Sequence, residues 1–158
     1  MDNTQKQEFT RRISNSNRGE MIVVIYDIFF AYANEAEQYY EQKKQEEFKT
    51  AVRKAQAAVT QLRDALDFKY PIAKELYPLY QFALEQLASC FYKNNTDGLE
   101  VAKKVLSKLY QSFVEVAKQD TSEPLMKHSQ QIVAGMTYQK GNLTETFQDS
   151  DNSRGFLA

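Results

Sequence analysis

The chain has 158 residues, of which 42% are apolar and 26% charged, with a formal net charge of -1. That length suits one domain with one core, and the apolar share packs a helical bundle but falls short of a membrane protein. A duplex-binding face concentrates Lys and Arg to displace phosphate counterions, and nothing here is basic enough, so nucleic acid is not an expected partner.

Only 5 Gly and 3 Pro interrupt the chain, and Trp is absent. Few breakers and long stretches of Ala, Glu, Lys, Gln and Leu favour helix over sheet. Residues 1–17 are polar and rich in Asn, Gln and Ser. They read as a flexible N-terminal arm, although Phe9 and Ile13 are spaced like one helical face. Arg11, Arg12 and Arg18 ahead of the apolar run Met21 to Ala33 imitate a signal peptide. Asp27 falls in the middle of that run, however, and the run is too short to span a bilayer. A buried first helix is the simpler reading, with no targeting signal and no membrane span, in a cytoplasmic protein.

The first helix is expected over 19–44. Met21, Ile25, Ile28, Phe29, Tyr32 and Ala36 form one stripe, and Ile22, Tyr26, Phe30 and Ala33 form a second beside it. Two adjoining stripes mean that its first half is covered on most sides or offers a face to something else. The second helix is expected over 46–66. There Phe48, Val52, Ala55, Val59, Leu62 and Leu66 recur in alternating steps of four and three, the seam of a bundle helix.

Pro71 suits the first turn of a third helix over 71–93, where its missing N–H has no cost. Ile72, Leu76, Leu79, Tyr80, Ala83, Leu87 and Phe91 are expected inward. Pro78 removes a hydrogen bond inside that helix, so a kink or a restart at 76–78 is expected. The single cysteine, Cys90, lies in its apolar stretch and reads as a buried thiol in a reducing compartment. Asn94 to Gly98 is a loop that leads into a fourth helix ending near Gln119, with Asp97 and Glu100 in the capping-box pattern. Leu99, Ala102, Leu106, Leu109, Phe113 and Val116 form its inner face. Ser122 is placed to cap a short fifth helix over 123–136, followed by a mobile tail from Lys140.

Catalytic chemistry finds no foothold. His128 and Cys90 are the only residues of their kinds and lie far apart, with no third group to complete a nucleophilic pair and no zinc-like ligand set. A carboxylate bundle needs Glu-x-x-His repeats, which are missing, and there is no glycine-rich phosphate loop or nucleophile elbow. No catalytic residue, cofactor or metal is expected. What stands out is ten Tyr and ten Phe. These rings either seal the ends and edges of the core or line a groove for a peptide.

The order of several short motifs adds to this. Ile25-Tyr26-Asp27, then Ala55-Gln56, then Leu62-Arg63-Asp64-Ala65-Leu66-Asp67-Phe68 resembles the flagellar export chaperone family FliS. Its members typically read Leu-Tyr-Asp, Ala-Gln and Leu-x-x-x-Leu-Asp in those places. Ile72-Ala73-Lys74-Glu75-Leu76-Tyr77-Pro78-Leu79-Tyr80 is similar to its Ile-Ala-x-x-Leu-x-x-Leu-Tyr, and Leu106 with Leu109 to Phe113 to its closing Leu-x-x-Leu-Arg-x-Ala-Trp. The resemblance covers about 18–119. Cys90-Phe91 replaces the usual Ala-Asn, Phe113 stands where Trp is common, Pro78 is an added breaker, and 120–158 is a longer ending.

The resemblance implies an antiparallel up-down four-helix bundle over 18–119 that is monomeric or weakly self-associating. It also implies a protein client, the C-terminal segment of flagellin, with the flagellar export machinery as a further possible partner. The contact residues would be Ile22 and Tyr26 on the first helix, Leu62 and Leu66 on the second, and Leu76, Tyr77 and Tyr80 on the third, several of them shared with the core. An open groove is an aggregation hazard, so Phe156-Leu157, or Phe9 and Ile13 of the arm, are candidates to occupy it. The alternative is a structural, oligomerising bundle with no export role.

Overall fold

The computed structural model describes residues 1–126. Among these residues five helices follow one another: α1 (Asn3–Asn15), α2 (Arg18–Glu41), α3 (Gln45–Asp64), α4 (Pro71–Lys93) and α5 (Asp97–Gln119). There is no strand among the described residues, and none of their helices is long and apolar enough to cross a membrane. α2 packs on α3 and α5, and α4 packs on the same two, so these four close into a ring around one core.

Each seam follows the alternation of three and four that keeps one stripe on a neighbouring helix. On α3, Phe48, Val52, Ala55, Val59 and Leu62 are buried, with Ala51 and Ala58 beside them. On α4 the buried stripe is Ala73, Leu76, Tyr80, Ala83, Leu87 and Cys90. Ile72 and Leu79, expected inward, sit one position off that stripe and are 55% and 38% exposed. On α5 the buried residues Leu99, Ala102 and Leu106 lie in the first half, while Val116, also expected inward, is 58% exposed. The core is therefore well covered at one end and thinner where α5 finishes.

The helix ends have local causes. α2 stops at Glu41, three residues short of the expected end. Lys43 takes a left-handed conformation, and the N–H groups of Lys43 and Lys44 bond the carbonyls of Tyr40 and Tyr39. This closure satisfies carbonyls that the helix would leave open. Tyr70 is extended ahead of Pro71, as a residue before proline prefers, and Pro71 opens α4. α4 does not restart at Pro78 but runs unbroken to Lys93. Pro78 and Lys74, whose carbonyl loses its partner, are both exposed, where water can replace the bond. α5 begins where expected, but its N-cap is Thr96 with no side-chain bond, and Asp97 is already helical. The carboxylates of Asp97 and Glu100 act there on the helix dipole, not as a capping box.

Two expectations for the ends of the chain are corrected. The segment read as an arm is the helix α1. Asp2 and Gln5 form a reciprocal capping box at its start, and it packs on α2. Arg12 reaches Asp27 at 2.6 Å, which gives the carboxylate in the apolar run its counter-charge. The α-amino group of Met1 pairs with Glu35. At the other end, residues 123–126 are not helical. The N–H and hydroxyl of Ser122 both bond Asp120 Oδ1, at 2.9 and 2.5 Å, so Ser122 closes a turn instead of capping a helix. The remainder of the expected fifth helix, His128 and the tail with Phe156-Leu157 lie outside the described residues.

Candidate functional site

The thinner end of the bundle carries an apolar cleft of about 320 Å³. Ile22 of α2 and Leu62 of α3 form one side. The α3–α4 connection contributes Leu66 and Tyr70, and α4 contributes Ile72, Ala73, Leu76 and Tyr80, with Phe113 of α5 behind them. Arg18 and Asp67 supply the charges at the rim. The apolar surface continues outside the cleft, where the Phe68 ring lies 5.9 Å from that of Tyr77. Phe68, Tyr70, Ile72 and Tyr77 are 41 to 60% exposed. Contiguous exposed apolar surface of this kind marks an interaction site more often than a solvated one.

Five of the seven contact residues expected from the sequence line this cleft: Ile22, Leu62, Leu66, Leu76 and Tyr80. Leu62, Leu76 and Tyr80 belong equally to the buried core. Tyr77 does not line the cleft but stands exposed next to it. Tyr26 has no exposed surface and lies behind the cleft wall. Its hydroxyl and that of Tyr80 share a hydrogen bond of 2.7 Å. The ring of Tyr26 also lies 5.9 Å from Tyr110 and 5.5 Å from Phe113. An aromatic cluster thus backs the cleft and holds Tyr80 in one position.

Sequence reasoning missed Arg18, Ala65, Asp67, Tyr70, Ala73 and Phe113 as lining residues and placed Ile72 in the core. The stripe running through Ala73, Leu76 and Tyr80 was available in the sequence and would have turned Ile72 outward. No residue of α1 lines the cleft. Phe9 and Ile13 therefore do not occupy it.

Burial pushes the ionisation of both Tyr26 and Tyr80 above the usual tyrosine range. In the unfolded chain both ionise near pH ~10. Above that pH the unfolded chain binds fewer protons than the folded one, so stability is full below about pH 10 and falls as the pH rises further. The slope approaches about 1.4 kcal/mol per pH unit for each tyrosine that stays protonated in the folded chain while it ionises in the unfolded one. Thermal melts followed by circular dichroism on the alkaline side should show the slope, and should show a flatter one when both tyrosines are phenylalanine.

The family model described as Flagellar protein FliS matches residues 1–120. The chain belongs to that family, the flagellar export chaperones. The match includes α1, which the motif resemblance over 18–119 left out. No curated protein matches the chain.

Proposed function

We propose that the protein is a cytosolic export chaperone whose cleft holds the C-terminal segment of flagellin, preventing premature polymerisation and delivering the client for secretion. The carrying observation is the apolar cleft that runs out onto Phe68, Tyr70, Ile72 and Tyr77. A client segment that is disordered when free gives up conformational entropy on binding, and burial against such a surface offsets it. The family's role as a flagellar chaperone supports the assignment of the client. α2 to α5 are read as running up and down in antiparallel order, which the short connections between them favour. Ile22, Leu62, Leu66, Leu76 and Tyr80 form the binding wall in this reading, Tyr77 its outer margin, and Tyr26 the support behind Tyr80.

The test is calorimetry with a peptide of the flagellin C-terminus, which should bind at one to one. Ile72→Asp changes an exposed cleft residue that the core does not need, and should weaken binding by about 10- to 100-fold with the melting temperature nearly unchanged. Tyr92→Ala, at the far end of α4 and 75% exposed, should bind as the unaltered protein does. Equal binding by Ile72→Asp would remove the cleft from the mechanism. Mass that grows with concentration in the absence of peptide binding would assign the cleft to self-association.

A further inference from the structure

α1 has no buried residue, yet the joint that connects it to α2 is sealed. Ser16 and Asn17 are 3% and 5% exposed. The seal is the segment 120–125. The N–H of Leu125 donates to the Ser16 carbonyl at 2.9 Å, and the N–H of Gly19 donates to Asp120 Oδ2 at 3.1 Å. The Asn17 side chain serves both directions. Its Oδ1 accepts from the N–H of Glu20 at 2.9 Å and caps α2, while its Nδ2 donates to the carbonyls of Asp120 and Ser122, each at 3.3 Å. Aspartate or serine caps a helix as well as asparagine does, but neither brings this pair of donors.

We propose that residues 120–125 are a strap that locks the α1–α2 hinge, and that α1 leaves its seat when the strap opens. Ser16 and Asn17 are extended, the non-helical break about which α1 can swing. Among the described residues, the contacts of α1 outside the hinge include the Arg12–Asp27 pair, the Met1 contact with Glu35 and packing on α2. α1 also forms one wall of a groove of about 490 Å³ floored by Val23 and Val24 of α2 and Val114 and Ala117 of α5. Freeing α1 uncovers that apolar floor. The strap thereby controls how much apolar surface the protein presents at this face.

Hydrogen exchange read by mass spectrometry on the full chain tests the strap through two substitutions. Asn17→Asp keeps an oxygen to cap α2 but sets a carboxylate against two carbonyls. Leu125→Pro removes the donor to Ser16 at a residue that is outside every helix and 57% exposed. Both should speed exchange of the α1 amides by about tenfold while α3 and α4 keep their protection. Unchanged α1 exchange in both variants would overturn the strap. So would loss of protection in all helices together, which would make the segment a general stabiliser of the bundle and not a lock on one hinge.

Discussion

Gly98→Ala is expected to destabilise the bundle by about 3 kcal/mol or more, at the upper end of what overpacking costs. A Cβ built on Gly98 would lie 1.9 Å from the Gln86 carbonyl oxygen, 2.8 Å from its carbon and 2.4 Å from Ser89 Oγ. The first two atoms are α4 backbone and cannot rotate away. α4 and α5 would have to part, and the buried neighbours Leu87, Cys90, Leu99 and Ala102 would lose contact with them. The melting temperature should fall by roughly 10 °C in calorimetry. Gly19→Ala is the informative contrast. Its Cβ would meet Asp120 Oδ2 at 2.9 Å and Ala117 Cα at 3.3 Å. A carboxylate can turn aside, and alanine is the better helix former by about 1 kcal/mol. A large loss at Gly98 and a small change at Gly19 would locate the tight approach between α4 and α5.

The second large effect is expected at the paired hydroxyls. Tyr80→Phe, or Tyr26→Phe, leaves one buried hydroxyl with no partner and should cost about 1–3 kcal/mol. Removing both hydroxyls together should be nearly neutral, because the rings remain and no polar atom is stranded. A double-mutant cycle in urea should therefore give a coupling energy of about 2–6 kcal/mol in magnitude, the sum of the two single losses. Additive losses would mean that each hydroxyl finds another partner when its neighbour is gone. The same variants bear on the site, since Tyr80 lines the cleft and Tyr26 holds it there. Client affinity should follow the single variants downward and recover in the pair.

The helices were legible because their cause is local. Pro71 opens α4, the run Phe48 to Leu62 recurs at bundle spacing, and five of the seven expected contact residues meet in one cleft because they follow the same seams. α1 carries a readable signal too, Asp2 and Gln5 at capping-box spacing, which a polar composition outweighed. The orientation of Ile72 and Leu79 was lost to a shift of one residue in reading the stripe. Other features have no local trace. Nothing near Asn17 announces that its amide will meet residues 120 and 122, and nothing near Gly98 announces the approach of Gln86. Such contacts arise only once distant segments have been brought together.

The sealed position of Cys90 has a chemical consequence. Its sulfur has no exposed surface and faces the Gln86 carbonyl at 3.8 Å, and burial pushes the thiol up and away from the reactive thiolate. It is the only sulfhydryl in 158 residues. Oxidants and alkylating agents attack the anion, so Cys90 in the folded bundle is a poor target for oxidation, alkylation or mixed-disulfide formation. That sulfur meets solvent only in molecules whose α4 and α5 have separated, and its rate of modification keeps time with the opening of the whole bundle.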